Sequence, residues 1–108
     1  MVREIDVVRL AGKLAASEAV YLLDVRQPWE NETAALPGST LVPLGELPSR
    51  AAEIRPPPGA LLVVYCHHGV RSLSAATLLE RLGHRDVVSL AGGIDAWSLL
   101  IDPKVPRY

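Results

Sequence analysis

The chain has 108 residues, of which 49% are hydrophobic and 21% are charged, so its length and composition are those of one soluble globular domain. Its 11 basic residues are balanced by 12 acidic ones, which excludes the basic surface expected of a nucleic-acid-binding protein. The N-terminal residues MVREIDVV are charged where a secretory signal would be apolar, and no apolar run is long enough to span a bilayer. We therefore expect a single cytoplasmic domain over residues 1–108, without a nucleic-acid or membrane partner.

Predicted strands and helices alternate at short intervals along the chain. Their boundaries follow from the spacing of apolar residues and from breaks at proline and glycine. In chain order they are a strand around Ile5–Val7, a helix at Val8–Ala16, a strand at Val20–Val25, a helix starting at Pro28, a strand at Ser39–Val42, a helix at Leu44–Ile54, a strand at Leu61–Tyr65, a helix at Val70–Leu82, a strand at Asp86–Leu90 and a helix at Ile94–Ile101. This alternation predicts an α/β fold with an open, largely parallel sheet and helices on both faces.

The strand at Leu61–Tyr65 is followed directly by the only cysteine of the chain, Cys66. The strand is apolar throughout, which is typical of a parallel strand buried on both faces. Ligands of open α/β sheets bind at the carboxyl ends of such strands. A lone cysteine can form neither an internal disulfide nor a Cys-x-x-Cys pair, so we expect any reaction of Cys66 to finish with an outside partner.

The residues after the cysteine favour a loop that stabilises negative charge. A loop that runs from a buried strand into a helix directs backbone N–H groups into one concave space, and the helix N-terminus favours a thiolate over a thiol. Gly69 permits a tight curl, Arg71 adds a permanent charge with forked N–H groups, and Ser72 offers either a hydroxyl to the sulfur or a cap to the loop. His67 and His68 add positive charge only as the pH falls.

Two other interpretations of Cys66 fit the residues around it less well. Free cysteine usually acts as a small buried hydrophobe, but the glycine, the arginine and the two histidines that follow indicate a pocket rather than a core position. A metal site is disfavoured because three adjacent residues, Cys66-His67-His68, cannot easily converge on one tetrahedral ion, and no second Cys or His pair lies at metal-finger spacing. We therefore expect neither a metal nor a cofactor.

Four short motifs occur along the chain in a specific order. They are Asp24-Val25-Arg26, Leu36-Pro37-Gly38, Cys66-His67-His68-Gly69-Val70-Arg71-Ser72 and Ala91-Gly92-Gly93-Ile94-Asp95-Ala96-Trp97. In this order they resemble the motifs of single-domain rhodaneses, members of the sulfurtransferase family. The resemblance implies a rhodanese-like three-layer α/β/α fold with a five-stranded, mostly parallel sheet.

The resemblance also implies a mechanism and a set of site residues. Cys66 would take the sulfane sulfur from a small-molecule donor such as thiosulfate, hold it as a persulfide and pass it to cyanide, a thiol or a protein acceptor. Cys66 and Arg71 would be catalytic. The substrate-binding residues would be His67, His68, Gly69, Val70 and Ser72 in the loop, together with Asp24 and Arg26. For Asp24 and Arg26, the alternative is a salt bridge that orders the loops.

Several alternatives stay open for the sulfur donor and for the activity. His67, His68 and Val70 occupy positions at which family members that favour thiosulfate often carry additional cations, so a persulfide is an equal candidate for the donor. The chain could also act as a sulfur carrier, or as an interaction module without turnover. A phosphatase-like or arsenate-reductase activity ranks lower, because only four residues separate Cys66 from Arg71, one fewer than in those enzymes.

Overall fold

The computed structural model describes residues 2–108, which contain one five-stranded sheet covered by helices. The strands are β1 (Arg3–Ile5), β2 (Val20–Asp24), β3 (Thr40–Leu41), β4 (Leu61–Tyr65) and β5 (Val87–Leu90). The helices are α1 (Val7–Ala15), α2 (Pro28–Thr33), α3 (Leu47–Arg50), α4 (Val70–Arg81) and α5 (Gly93–Leu100). The strand order is β1-β5-β4-β2-β3 and all neighbouring strands are parallel, which confirms the predicted α/β fold. None of the helices in the described residues has the length and apolarity needed to cross a bilayer.

The central position of β4 brings its carboxyl end next to that of β2. In the register of these two strands, Asp24 is paired with Tyr65. On the other side of β4, Val64 is paired with Ser89 of β5. The residues that follow β2 and β4 therefore leave the sheet at the same edge, although about forty positions separate them in the sequence.

Apolar side chains form two clusters, one on each face of the sheet. Alternate residues of a strand point to opposite faces, so the all-apolar β4 contributes to both clusters. The first cluster includes side chains of α1 and α5, and the second includes side chains of α4. Cys66 continues the alternation of Leu62 and Val64 and belongs to the second cluster. Its thiol therefore lies on the face of the sheet that α4 covers.

Two predicted boundaries were wrong for local reasons. The first helix begins at Val7, where a strand was predicted, because the Asp6 carboxylate accepts a hydrogen bond of 2.7 Å from the Arg9 backbone N–H and caps the helix. The predicted helix at Leu44–Ile54 is a 3₁₀ turn, the short α3 and a second 3₁₀ turn. Pro48 lacks the N–H that a continuous helix would direct to the Leu44 carbonyl, and its ring would collide with that carbonyl.

The start of α5 packs directly against the backbone that follows β4. The Ile94 N–H donates to the Cys66 carbonyl at 2.9 Å, and the Asp95 N–H donates to the His67 carbonyl at 3.1 Å. Gly93 has a φ of 59°, and a Cβ at this position would collide with both of these carbonyl oxygens. The absence of a side chain at Gly93 therefore lets α5 hold the loop in place.

We expect Gly93→Ala to destabilise the protein more than Gly59→Ala. Both glycines have a positive φ, so each substitution costs about 1–2 kcal/mol in backbone strain. A Cβ on Gly59 meets no atom within 4 Å, whereas one on Gly93 displaces the loop and adds a further loss of roughly 1–3 kcal/mol. Urea unfolding measures both losses. Equal losses for the two variants would contradict this close packing.

Candidate active site

Cys66 lies at the carboxyl end of β4, and the loop after it curls back around its sulfur. The Gly69 N–H lies 3.1 Å from Sγ and the Ser72 N–H lies 3.4 Å from it, so both donate hydrogen bonds to the sulfur. Gly69 has a φ of 106°, which allows the curl and places it at the N-cap of α4. The Cys66 side chain is 1% exposed. This arrangement of backbone donors stabilises negative charge on a sulfur atom.

Two buried hydroxyl groups lie behind the sulfur. The Ser72 Oγ is 3.5 Å from Cys66 Sγ, and it is also 2.7 Å from the Ser89 Oγ of β5. Both serines are fully buried. Ser89 is not among the residues predicted from the sequence, although it is the only polar residue of Val87–Leu90.

Arg71 forms a partly buried ion pair with Glu30, a residue that lies outside the four motifs. The Arg71 Nη1 and Nη2 atoms donate to the two Glu30 carboxylate oxygens at 2.6 and 2.9 Å. Glu30 is held in turn by α2, because its carboxylate accepts a hydrogen bond from the Gln27 N–H at the N-terminus of that helix. The hydrogen bonds from Arg71 lower the pKa of Glu30 to about 2. Glu30 is therefore ionised at pH 7 and holds the Arg71 guanidinium through two hydrogen bonds.

Asp24 and Arg26 form a second ion pair, and both are fully buried. Arg26 donates to both Asp24 carboxylate oxygens, at 2.9 and 2.7 Å. The guanidinium also donates to the Ala34 carbonyl at 2.6 Å, and the Asn31 side chain donates to Asp24 at 2.9 Å. These contacts join the end of β2 to Asn31 within α2 and to Ala34, the residue that follows the helix. We therefore assign the pair to the positioning of α2, and with it of Glu30.

Three rings form a stack beside the loop. The His67 ring lies between those of Tyr108 and His68, with ring centroids 4.1 and 4.0 Å apart. The Tyr108 hydroxyl donates to Glu30 at 2.7 Å and accepts from Arg26 at 2.8 Å, which ties the stack to both ion pairs. Burial and the neighbouring His68 lower the pKa of His67, so His67 is neutral at pH 7.

The loop residues that the resemblance implied as substrate-binding occupy three different environments. Gly69 and Ser72 contact the sulfur. Val70 begins α4 and is 75% exposed. His67 and His68 lie in the ring stack, and the His68 side chain is 64% exposed.

His67, His68 and Asp95 are the one group in the described residues with the composition of a metal site, since their ligand atoms lie within 4.8 Å of one another. The two imidazole planes are 16° from parallel. A ring nitrogen binds a metal in the plane of its ring, so stacked rings cannot share an ion unless one of them rotates out of the stack. Asp95 is also paired with Arg107 at 3.0 Å. We therefore assign these residues to the packing of the loop.

Comparisons with known proteins agree with the fold. The family model described as a rhodanese-like domain matches residues 7–100. A sulfurtransferase of Allochromatium vinosum is 39% identical over 91% of this chain and 90% of its own length. The putative sulfur carrier protein YrkF of Bacillus subtilis is 33% identical over 88% of this chain, which spans half of that protein. The crystal structure of a rhodanese-related protein from Thermoplasma volcanium matches with a TM-score of 0.79 at 30% identity, over 96% of this chain and 95% of that one.

We expect Glu30→Gln to lower the free energy of unfolding at pH 7 by on the order of 2 kcal/mol, allowing for the partial exposure of Arg71. The folded-state pKa of Glu30 is lowered from 4.5 to about 2, so its stabilising effect is complete above pH 4.5 and is lost as the pH falls toward 2. The difference between parent and variant should shrink over that range in urea unfolding. Glu32→Gln, an exposed change in the same helix, is the control and should show no such trend. A parent–variant difference for Glu30→Gln that is independent of pH would contradict the pairing.

Proposed function

Because the chain belongs to the rhodanese-like family, we propose that it is a sulfurtransferase that carries a sulfane sulfur on Cys66. The observation that supports this most directly is the sulfur itself, which accepts hydrogen bonds from the Gly69 and Ser72 N–H groups at the start of α4. Such donors stabilise a thiolate, the form of cysteine that acts as a nucleophile. We include a cytoplasmic location in the proposal, since the reaction needs a reduced thiol and the cytoplasm keeps thiols reduced.

The reaction has two half-reactions, and in each of them a new bond to the sulfane sulfur forms as an existing sulfur–sulfur bond breaks. The Cys66 thiolate attacks the sulfane sulfur of the donor, the bond within the donor breaks, and its electron pair leaves with the departing group, which is sulfite when the donor is thiosulfate. Cys66 then holds the sulfur as a persulfide beside the loop N–H groups. A thiolate or cyanide attacks the outer sulfur, and the electron pair of the broken bond returns to Cys66.

The charges around the loop favour a sulfur donor of low charge. The positive charge of Arg71 is balanced by Glu30, that of Arg26 is balanced by Asp24, and His67 is neutral at pH 7. These groups therefore offer no excess of fixed positive charge that would attract a dianion such as thiosulfate. A thiol persulfide does not depend on such an excess of positive charge. We propose a persulfide as the biological donor and thiosulfate as a slower donor in the assay.

A sulfur carrier is the second candidate. The similarity to YrkF, named as a putative sulfur carrier protein, supports it, and so does the burial of the sulfur, which leaves little room for an acceptor. A carrier forms the Cys66 persulfide in one stoichiometric step but releases it slowly to small thiols. Multiple turnovers with a persulfide donor and a small thiol acceptor would favour the enzyme.

The intact mass of the reduced protein should increase by one sulfur atom after incubation with a persulfide donor or thiosulfate, and cyanide should remove that atom. Cys66→Ser should show no gain, because Cys66 is the only cysteine. The control is a thermal melt, in which the variant should unfold close to the parent. A folded parent that gains no sulfur from either donor, or a variant that gains as much as the parent, would contradict the proposed function.

We expect Arg71→Lys to slow persulfide formation about tenfold, the equivalent of roughly 1.4 kcal/mol in the activation barrier. Lysine keeps the charge but cannot hold both Glu30 oxygens in a fork, so the cation loses its fixed position. Arg50→Lys is the matched control, because Arg50 also pairs with carboxylates and its side chain is as exposed as that of Arg71, but it belongs to α3, outside the candidate site. Stopped-flow or quenched mass measurements give the rates. Equal rates for the two variants would remove Arg71 from the proposed mechanism.

A further inference from the structure

We propose that Ser89 is a positioning residue for the nucleophile: through Ser72, it directs a hydroxyl hydrogen at the Cys66 sulfur when that sulfur is negatively charged. Ser89 is linked to the sulfur through Ser72: its Oγ lies 2.7 Å from that of Ser72, which in turn lies 3.5 Å from Sγ. The inference rests on the proposed function only where it assigns the resulting thiolate to sulfur transfer.

The position of Ser89 in the sheet is one at which an apolar residue would be expected. Val88 and Leu90 belong to the first apolar cluster and Val87 to the second, so the alternation of β5 places Ser89 on the face that α4 covers. Its neighbour on the central strand is Val64, and it is fully buried. A hydroxyl in such surroundings is unfavourable unless it is hydrogen-bonded, and the Ser72 hydroxyl meets that need.

The direction of the hydrogen bonds depends on the charge of the sulfur. In the neutral form, the thiol donates to the Ser72 Oγ, and Ser72 can donate to Ser89. When the thiol loses its proton to solvent, the sulfur becomes an acceptor only. The Ser72 hydroxyl then turns its hydrogen toward the sulfur, and the Ser89 hydroxyl turns its hydrogen toward the Ser72 Oγ. Both hydroxyl groups keep their hydrogens, and only the S–H bond breaks.

This reversal gives the thiolate a third donor besides the two backbone N–H groups. A hydrogen bond to a charged acceptor is stronger than one to a neutral acceptor, so the hydroxyl pair stabilises the thiolate more than the thiol. Ser89 contributes because a hydroxyl that accepts a hydrogen bond becomes a better donor in its turn. It also supplies a partner that holds the Ser72 side chain in line with Sγ. Ser89 therefore acts on the ionisation of the nucleophile from a position outside the loop.

The test is a pH titration of thiolate absorbance in the ultraviolet, which reports one residue because the chain has a single cysteine. We expect Ser89→Ala to move the titration midpoint upward by about half a pH unit to one unit, the size of effect that one net hydrogen bond can produce. Ser72→Ala should move it at least as far. Because Ser89 acts through Ser72, the double variant should move it no further than Ser72→Ala alone.

Ser98→Ala is the matched control, since Ser98 is also a buried serine but donates to the Ile94 carbonyl within α5. Its midpoint should equal that of the parent. If Ser89→Ala fails to fold, a second pair of variants replaces it. Ser89→Thr keeps the hydroxyl and should retain the parent midpoint. Ser89→Val has a similar shape to Ser89→Thr without the hydroxyl and should show the upward shift. An unchanged midpoint in the Ser89 variants that lack the hydroxyl, or an equal shift in Ser98→Ala, would overturn the inference.

The titration uses no sulfur donor, so its result is separate from that of the proposed function. A parent that accepts no sulfur would overturn the sulfurtransferase proposal, while the shift in the Ser89 variants would still establish the hydroxyl pair. If the parent transfers sulfur, Ser89→Ala should form the persulfide about three- to tenfold more slowly than the parent at pH values below the titration midpoint. At pH values above the midpoint, its rate should approach that of the parent. A loss of rate that is equal at every pH would indicate a structural defect and would overturn the positioning role.

Discussion

The buried ion pair between Asp24 and Arg26 fixes the framework on which the candidate site depends. Burying two charges is costly, and their mutual attraction offsets the cost only when the geometry is good and further hydrogen bonds satisfy the remaining groups. Here Arg26 donates two hydrogen bonds to the Asp24 carboxylate. Asp24 also accepts a hydrogen bond from the Asn31 side chain, and Arg26 also donates one to the Ala34 carbonyl. Because these partners belong to α2 and its C-terminal flank, the pair fixes the helix that carries Glu30. Arg71 then takes its position from Glu30. The position of Arg71 therefore depends on the ion pair at the end of β2, the strand next to β4.

The candidate site stabilises a negatively charged sulfur mainly with dipoles. Its two arginines are each matched by a carboxylate, which leaves no net charge in that group of four residues. The atoms that touch the sulfur are instead the Gly69 and Ser72 N–H groups and a hydroxyl. Preorganised dipoles of this kind do not attract a dianion from solution as a free cation would. The same atoms suit a persulfide, whose outer sulfur carries a single charge.

The sequence predicted the features that depend on neighbouring residues and missed those that depend on distant ones. The burial of the all-apolar β4, the loop after Cys66 and one of the two roles expected of Ser72, its hydroxyl contact with the sulfur, all follow from a few consecutive positions. Pro48 is a local signal as well, because it interrupts the helix that the apolar spacing predicts at Leu44–Ile54. Glu30 lies 41 positions from Arg71, and a periodic pattern cannot pair residues so far apart. Ser89 did leave a signal, since it interrupts an otherwise apolar strand, but its partner became clear only from the packing of α4 against β5.

The burial of Cys66 imposes two opposite demands on its surroundings. Packing within the second apolar cluster excludes water, which protects a persulfide from side reactions, but the same burial disfavours negative charge on the sulfur. Solvent cannot relieve this conflict, so the protein must supply the compensating donors from its own backbone and side chains. The loop supplies two N–H groups because Gly69 permits its curl. A hydroxyl pair that donates to the thiolate from inside the apolar cluster adds a further donor without admitting water, which explains why a serine lies where the sheet would otherwise carry an aliphatic residue.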